Sequence, residues 1–234
     1  MGTILKLEDL CYSYIDGGYE RQILKNLSFE FEEKKFYTIL GPSGSGKTTL
    51  LSIIAGLDFA KSGHVYFRDK EITKSNVGKY RRNDISIVFQ QYNLISYLTA
   101  VENVMLAMSE TDNELPKDKK NVAYNLLERF GIVRSKADRM VRQLSGGEQQ
   151  RVSIARSLAS NVDLIFADEP TGNLDPETSW GIMDIFQRIN SSGTTIVMAT
   201  HDKTIVDAMQ RRVIAIENGR IVRDESHGGY GYED

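Results

Sequence analysis

Three short apolar runs constrain the fold more than any other feature of the sequence. They are FYTIL (36–40), LIFAD (164–168) and TTIVMAT (194–200). Each run is bounded by turn or polar residues, a pattern typical of strands that helices cover on both faces. Helical patterns lie between these runs, at QQRVSIARSLAS (149–160) and SWGIMDIFQRIN (179–190). This alternation predicts an α/β fold with a mainly parallel sheet.

Other stretches predict antiparallel strands. HVYFRDKEIT (64–73) predicts a hairpin that turns at Asp69-Lys70. RRVIAIENGRIVRD (211–224) predicts a second hairpin, because Asn-Gly between alternating runs is typical of a type I′ turn. Together with ILKLEDLCYSY (4–14), we expect these stretches to form an antiparallel β portion beside the parallel core.

Strand patterns are absent between about residues 93 and 141, which we predict to be a helical lobe. Within it, PKDKKNVAYNLLERFGI (116–132) has apolar residues at helical spacing, and Gly131 is placed to stop the helix. The residues that share one helical face are Val122, Leu126, Leu127 and Phe130. The tail SHGGYGYED (226–234) has no apolar pattern, so we expect it to be loosely ordered.

Composition narrows the class of protein. A formal net charge of -3 over 234 residues argues against a bulk nucleic-acid binder, which usually carries a basic excess. Cys11 is the single cysteine, so no internal disulfide can form and a reducing compartment is expected. The opening residues have early acids and no long apolar core, so we expect no secretion signal there. No window approaches the roughly 18 consecutive apolar residues of a membrane span.

A glycine-rich loop follows the first buried run and opens an apolar helix. Gly41, four further residues and then Gly46-Lys47-Thr48 match the phosphate-loop pattern. The glycines let successive N–H groups turn inward, and the helix N-terminus directs its dipole at the same anion. Lys47 supplies a charge to the β- and γ-phosphates, and the Thr48 hydroxyl is placed to ligate Mg²⁺. The nucleotide-binding residues predicted here are Gly41, Ser43, Gly44, Ser45, Gly46, Lys47, Thr48 and Thr49.

Two adjacent acids end the run LIFAD and continue into LIFADEP (164–170). Asp168 is placed to hold Mg²⁺ from the far side of the site. Because the chain turns at the end of a strand, Glu169 can also face the γ-phosphate and deprotonate the attacking water.

QLSGGEQQRVSIARSLA (143–159) contains a second, smaller anion nest. Ser145-Gly146-Gly147 precedes a helix whose N-terminus carries partial positive charge. One chain already has a phosphate site, so a second nest far along the sequence requires another purpose. If two chains pack head to tail, this nest closes over the γ-phosphate that the partner holds.

The motifs together resemble the nucleotide-binding subunit of an ATP-binding cassette (ABC) transporter. LSGGEQQ (144–150) matches the signature motif of that family. VFQQYNL (88–94) resembles its Q-loop, TGNLD (171–175) its D-loop and MATHD (198–202) its switch region. The resemblance covers nearly the whole chain and the motifs occur in the family's order.

This resemblance implies a single ABC ATPase domain over residues 1–234 that binds ATP and Mg²⁺. Such a domain has a P-loop NTPase core with a mainly parallel sheet, an antiparallel β subdomain and a helical lobe. The core and antiparallel portion would occupy about residues 1–92 and 142–225, and the lobe about 93–141.

The resemblance also implies roles for single residues. Gln90 would sense Mg²⁺ and the γ-phosphate, and His201 would hold the γ-phosphate and Glu169 in register. Tyr14 resembles the aromatic residue that stacks on adenine, with Tyr12 and Tyr19 as competitors. Residues assigned to the partner subunit's ATP or to the dimer seam are Ser145, Gly146, Gly147, Glu148 and Asp175.

The details resemble one bacterial branch, which includes lipoprotein-releasing, macrolide-exporting and antimicrobial-peptide-resistance systems, and a related cell-division ATPase. The implied assembly is a homodimer that drives an integral membrane permease from the cytoplasmic face of the membrane. Its contact is expected near Tyr92 to Thr99, where apolar residues also have the alternative of forming lobe core. The rival class is a soluble ABC ATPase acting on nucleic acid or ribosomes. One cassette, a compact lobe and an acidic balance argue against that class, so no nucleic-acid partner is expected.

Overall fold

A computed structural model describes residues 2–231 of the protein. The strands in this range are β1 (Thr3–Asp16), β2 (Tyr19–Glu32), β3 (Phe36–Leu40), β4 (Ser62–Phe67), β5 (Lys70–Glu71), β6 (Ile85–Phe89), β7 (Leu164–Asp168), β8 (Thr195–Ala199), β9 (Arg212–Glu217) and β10 (Arg220–Glu225). The helices are α1 (Lys47–Ile54), α2 (Val77–Asn83), α3 (Ala100–Glu110), α4 (Lys119–Arg129), α5 (Arg134–Ala137), α6 (Gly146–Ala159), α7 (Pro176–Ser191) and α8 (Lys203–Met209), with a short 3-10 turn at Val141–Gln143. None of the helices between residues 2 and 231 is both long and apolar enough to cross a membrane.

The main sheet has six strands in the order β10-β9-β3-β8-β7-β6. Pairing is parallel from β9 to β6 and antiparallel only between β9 and β10. The three buried runs become β3, β7 and β8, so the predicted parallel core is confirmed. Every residue of β3 and β8 is buried, as expected when both faces of a sheet are covered.

Two hydrophobic clusters lie on opposite faces of this sheet. Phe166 joins the cluster that contains Ile54 of α1, whereas its neighbour Ile165 joins the cluster that contains Val152 of α6 and Ile182 of α7. The alternation follows because successive side chains of a strand point to opposite faces. The carboxyl ends of β3, β6, β7 and β8 therefore meet at one edge, where loops after a parallel sheet form binding sites.

The hairpin at residues 211–224 belongs to the main sheet, so its predicted place in the antiparallel portion was wrong. β9 pairs with β3 in parallel register, with Val213 opposite Thr38. The physical reason is burial, because the four residues from Val213 to Ile216 are all buried and need cover on both faces. The turn itself is as predicted, since Asn218 and Gly219 both have positive φ, of 48° and 77°.

The antiparallel portion is a separate four-stranded sheet, in the order β2-β1-β4-β5. β2 pairs with most of the length of β1 and has no counterpart in the sequence-based prediction. The turn between β4 and β5 lies at Arg68-Asp69, one residue earlier than predicted. This register places Phe67 opposite Lys70 and keeps Val65 and Phe67 on the buried face, which a slip of one residue would reverse.

Helices α3, α4 and α5 form the predicted lobe between the Q-loop and signature segments. Gly131, at φ 79°, ends the turn that follows α4, and Leu127 and Phe130 are buried as expected. Val122 and Leu126 are only partly buried at the edge of the same cluster. Lobe residues such as Val104 share that cluster with Ile165 of the main sheet. The lobe and the sheet are therefore packed through one continuous core.

The tail returns along the main sheet. The Gly228 amide donates to the Arg211 carbonyl at 3.1 Å, and the Tyr230 amide donates to Asp207 Oδ1 at 2.6 Å. These contacts fasten residues 226–231 against β9 and α8. The last three residues of the segment expected to be loosely ordered, 232–234, lie outside the described range.

Candidate functional site

A cavity of about 730 Å³ opens at the carboxyl edge of the main sheet. It brings the phosphate loop together with residues from β1, β2, the end of β7, the loop after β8 and the tail. The residues that line it are Tyr14, Arg21, Ile23, Gly41, Pro42, Ser43, Gly44, Gly46, Lys47, Thr48, Thr49, Glu169, His201 and Tyr230. A concave site with convergent polar groups is what a ligand of nucleotide size requires.

The phosphate loop is shaped by glycines in two ways. At Gly41 a Cβ atom would lie 2.2 Å from the Ile216 carbonyl oxygen, so no side chain fits where the loop leaves β3. Gly46 has φ 106° and is the N-cap of α1, a left-handed geometry that favours glycine. Among residues 2–231 no side chain caps α1, and the first turn of the helix holds no acid. The N-terminal amides of α1 are therefore available to an anion in the cavity.

Lys47 spans the loop from inside. Its Nζ donates to the carbonyls of Gly41 at 2.6 Å and Pro42 at 3.1 Å. Burial lowers the pKa of the ammonium, while the Glu169 and Asp168 carboxylates oppose that shift. A desolvated cation between these carboxylates and the loop is a strong attractor for phosphate. Ser45 was predicted to bind nucleotide with the rest of the loop, but it is buried and does not line the cavity.

Asp168 ends β7 close to the phosphate loop. Burial raises the pKa of its carboxyl, and a hydrogen bond from the Thr48 hydroxyl lowers it in part. Asp168 Oδ1 is buried without a hydrogen-bond partner among the described residues. A buried carboxylate oxygen left over beside a threonine hydroxyl fits a divalent cation that completes its shell with water and phosphate oxygens. These two residues thus have the chemistry of the predicted Mg²⁺ ligands.

Glu169 and His201 form a pair at the cavity wall. His201 Nδ1 lies 2.7 Å from Glu169 Oε2. Glu169 has φ 47° while its amide still donates to the Ala199 carbonyl at 2.9 Å. A positive φ at a residue other than glycine is strained and ends the alternation of the strand, which turns the carboxylate into the cavity after Asp168. The turn predicted from sequence at this position is present.

Gln90 directly follows β6 and is outside the lining of the cavity. Its Nε2 donates to Asn173 Oδ1 at 3.1 Å, and Asn173 Nδ2 donates back to the Gln90 carbonyl at 3.3 Å. Gly172 permits this approach, since a Cβ there would lie 2.7 Å from Gln90 Nε2. The Q-loop and D-loop are therefore joined side by side next to the site.

The signature segment lies outside the cavity. Ser145 caps α6, and the Glu148 carboxylate accepts from the Ser145 amide at 3.0 Å, which makes a capping box. Glu148 also contacts Lys136, and this pairing is the main reason why the pKa of its carboxyl is lowered. At Gly147 a Cβ would lie 2.4 Å from Thr178 Cγ2, so the glycine lets α6 approach α7 closely.

Gly146 and Asp175 also have local structural roles. A Cβ at Gly146 would lie 2.7 Å from the Tyr92 hydroxyl, so this glycine lets α6 approach the Q-loop segment. Asp175 caps α7 by accepting from the Thr178 amide at 2.9 Å and hydroxyl at 2.6 Å. These hydrogen bonds from Thr178 lower the pKa of the Asp175 carboxyl.

Of the three candidate tyrosines, Tyr14 lines the cavity. Tyr12 donates its hydroxyl to Asp58 at 2.6 Å, and Tyr19 is 82% exposed at the tip of the β1–β2 hairpin. Arg21 is the register partner of Tyr14, so recognising β2 in the sequence would have found it beside the cavity. Tyr230 has no local sequence signal, because only the fold brings the tail to this edge.

Sequence reasoning also missed two anchoring side chains on α6. Gln150 is fully buried and its Nε2 donates to the Pro170 carbonyl at 2.6 Å, next to Glu169. Arg156 donates to the carbonyls of Asn93 at 2.6 Å and Tyr92 at 3.2 Å, just after Gln90. Helix α6 therefore holds two loops in place: the one after β6, through Arg156, and the one after β7, through Gln150.

Comparison with known proteins decides the family. The family model described as ABC transporter matches residues 24–172. The chain belongs to the ABC transporter family. This ABC ATPase is 42% identical over 233 residues to the cell division ATP-binding protein FtsE of Bacillus subtilis, covering 99% of this chain and 100% of that protein.

Two other comparisons add to this. The macrolide export ATP-binding/permease protein MacB of Campylobacter jejuni is 45% identical over 208 residues, which are 88% of this chain and 32% of that longer protein. The ATP-binding cassette MJ0796, solved as a dimer in a post-hydrolysis state bound to ADP and Pi, superimposes with a TM-score of 0.86 at 37% identity. That superposition covers 96% of this chain and 99% of that one.

The predicted ABC ATPase fold, with its parallel core, antiparallel sheet and helical lobe, is confirmed. The protein is an ATP-binding subunit of the ABC transporter class that hydrolyses ATP.

Proposed function

We propose that two copies of this ABC ATPase pack head to tail around two ATP molecules and drive an integral membrane permease. The observation that carries the proposal is the division of the site. The cavity holds the phosphate loop, Glu169 and His201, whereas the signature segment lies outside it with its helix already capped. A second copy, turned head to tail, supplies the missing wall.

Within one copy, the residues divide the work on ATP. Tyr14 stacks on adenine, and the loop from Gly41 to Thr49 holds the phosphates with the charge of Lys47. Thr48 and Asp168 hold Mg²⁺, and Gln90 senses it from the Q-loop. When bound, the ion neutralises charge that develops on the β- and γ-phosphate oxygens.

Glu169 is the proposed general base. Its carboxylate faces the cavity and takes a proton from the water that attacks the γ-phosphate. His201, bound to Glu169 Oε2, keeps that carboxylate in one orientation and contacts the γ-phosphate. His201 would thus orient the general base Glu169, as a neighbouring side chain orients the base in a catalytic triad.

Across the dimer, Ser145, Gly146 and Gly147 contact the γ-phosphate of the partner's ATP, with Glu148 at the rim. The Ser145 oxygen already accepts from the Glu148 amide at 3.3 Å, which leaves its O–H free to donate to phosphate. ATP would then hold the two copies together and hydrolysis would release them.

The permease contact is proposed at the groove beside Tyr92–Thr99. This groove measures about 330 Å³ and is lined by Gln91, Tyr92, Asn93, Leu94, Ser96, Val141, Arg142, Gln149 and Asn173. Leu94 packs against the core, while Tyr97 is 73% exposed and free for a partner. The segment therefore serves both as lobe packing and as docking surface, and docking would keep the protein at the inner face of the membrane.

The work done through the permease is proposed to be export, lipoprotein release or peptide-antibiotic resistance. A second candidate is a role in cell division, which is favoured because relatives with that name match this chain over their whole length. Depleting the protein separates the two, since only a division role predicts blocked septation.

Co-purification from detergent-solubilised membranes tests the permease proposal. The tagged chain is expected to bring down a few-span membrane subunit with a large extracytoplasmic domain. Tyr97→Asp is expected to lose that subunit, while Tyr19→Asp, on an exposed tyrosine of the β1–β2 hairpin that does not line the groove, is expected to keep it. Ribosomes or DNA in place of a membrane subunit would contradict the proposal.

A further inference from the structure

Gln150 is a polar side chain that is fully buried in the protein. It lies in the second turn of α6, the helix that Ser145 of the signature segment caps. Its Oε1 atom has no hydrogen-bond partner among residues 2–231. A buried acceptor without a partner costs free energy, and an apolar side chain of the same length would fill this place without that cost. The donor group of Gln150, and not packing, therefore explains why an amide lies here.

This donor group joins the ends of two neighbouring strands. The pairing of β6 with β7 ends at Phe89 and Asp168. At this end of the ladder, Gln150 Nε2 donates to the Pro170 carbonyl at 2.6 Å and, over a longer distance of 3.5 Å, to the Phe89 carbonyl. The side chain therefore continues the connection between the two strands into the loops that follow them.

Glu169 lies in the backbone that this contact holds. It directly precedes Pro170 and has the strained φ of 47°. The Glu169 amide donates to the Ala199 carbonyl at 2.9 Å, and its carbonyl accepts from the Gly172 amide at 3.1 Å. A strained conformation persists only when the surrounding structure fixes it. The bond from Gln150 fixes the next carbonyl along the chain, so it adds to the contacts that turn the Glu169 carboxylate into the cavity.

We propose that Gln150 is a positioning residue for ATP hydrolysis, which holds the backbone beside Glu169 so that the carboxylate stays aimed at the attacking water. Gln150 acts through Glu169, because it lies outside the described lining of the cavity. The inference rests on the function proposed above, in which Glu169 is the general base. Removing the donor should therefore lower turnover and spare both ATP binding and ATP-driven dimerisation.

Steady-state phosphate release by the full chain measures the effect on turnover. Gln150→Met keeps the length of the side chain and removes the donor, so kcat is expected to fall about 10- to 100-fold, the range for a displaced catalytic group. The KM for ATP is expected to stay unchanged. Ser153→Ala is the matched control with normal turnover, because it removes another buried polar atom of α6 that has no described partner. An unchanged kcat in Gln150→Met would overturn the inference.

Light scattering with ATP separates positioning from general damage to α6. Slow hydrolysis leaves ATP bound, so Gln150→Met is expected to accumulate a dimer, as Glu169→Gln does. Loss of the dimer together with turnover would overturn the inference, because the signature end of α6 would then be disturbed. Thermal unfolding checks that the variant folds. If Gln150→Met does not fold, Gln150→Asn gives the same test, because its shorter amide no longer reaches the Pro170 carbonyl.

A double variant tests whether Gln150 acts through Glu169. Adding Gln150→Met to Glu169→Gln is expected to leave the residual turnover of Glu169→Gln unchanged, because both changes remove the same function. A further loss in the double variant would overturn the inference.

The single variants separate this inference from the proposed function. If Glu169→Gln loses turnover while Gln150→Met keeps it, Glu169 remains the base and only the positioning role is overturned. If Glu169→Gln itself keeps normal turnover, the proposed base and the positioning role are overturned together.

Discussion

The phosphate loop and the signature segment are both glycine-rich turns that open a helix, yet their helix ends differ. Gly46 caps α1 in a left-handed conformation with no side-chain hydrogen bond. Ser145 caps α6 in an extended conformation, with a complete capping box from Glu148. A helix N-terminus leaves four amides without partners inside the helix, and side chains or ligands must satisfy them.

The two helix ends therefore have different needs for a ligand. At α1 no described side chain supplies a cap, which fits the proposal that the phosphates of ATP take that place. At α6 the chain caps its own helix, which fits the proposal that this end offers its exposed groups to a second copy. Binding ATP should thus depend on the first turn alone, and closing the dimer on the second.

Glu169→Gln should have the greatest effect, because it should stop hydrolysis while both glycine-rich turns remain intact. Glu169→Gln removes the base, so turnover should fall about 100-fold or more, while ATP binding persists and an ATP-bound dimer accumulates. Phosphate release and light scattering measure the two results. Glu110→Gln, an exposed acid on α3, is the control and should keep normal turnover. Near-normal turnover of Glu169→Gln would remove this residue as the base.

Ser145→Arg in the Glu169→Gln background breaks the second turn alone. The bulky cation should prevent closure, so ATP no longer produces a dimer, while the affinity of the monomer for ATP stays unchanged. Light scattering with and without ATP measures closure, and calorimetry measures affinity. Ser109→Arg, on an exposed serine of α3 in the helical lobe, should still dimerise. A dimer that persists in Ser145→Arg would show that the signature segment makes no contact with the partner's ATP.

Tyr14→Ala tests nucleotide binding at the cavity that contains the phosphate loop. Loss of stacking should weaken ATP binding by about 1–2 kcal/mol, the scale of a base on an aromatic ring. Titration with the non-hydrolysable analogue measures it, with Tyr19→Ala as control. If affinity is unchanged, the stacking role passes to Tyr12, whose hydroxyl is held by Asp58.

The smallest expected effect concerns the cap of α6. The pKa of Glu148 is lowered, mainly by Lys136, so the stabilisation that its charge provides is complete above the ordinary carboxyl pKa. It is lost as pH falls through the lowered pKa. Glu148→Gln keeps an acceptor for the cap and should cost at most about 1 kcal/mol of unfolding free energy near neutral pH.

Urea unfolding of both proteins across pH checks this. The difference in unfolding free energy should shrink toward zero as the solution is acidified below the ordinary carboxyl pKa. A difference that stays constant with pH would show that shape or capping, and not charge, sets the contribution of Glu148.

Several elements followed directly from sequence pattern. β3 and β7 coincide with FYTIL and LIFAD, because a short apolar run between polar residues has few ways to be buried other than as a covered strand. Asn218-Gly219 forms the predicted turn because two positive φ angles exclude most other residues. These are local preferences that the chain carries wherever it folds.

Other elements depended on partners that no local pattern names. β9 was predicted as one strand of an antiparallel hairpin, and its parallel pairing with β3 is what places its four buried residues in the main sheet. The β4–β5 turn lies one residue earlier than predicted, because this register keeps Phe67 on the buried face. β2 was missed because its burial is irregular along its length.

The chemical groups of the protein could be predicted from short motifs: a phosphate loop, an aspartate that ends a buried strand with a glutamate after it, and a signature segment typical of one family. The contacts between distant residues could be found only in the folded protein, namely Glu169 with His201, Gln90 with Asn173, and Tyr230 with the cavity. The physical reason is sequence separation. Motif chemistry depends on neighbours a few residues apart, whereas these meetings depend on which strands pair and on where a distant tail finds space to pack.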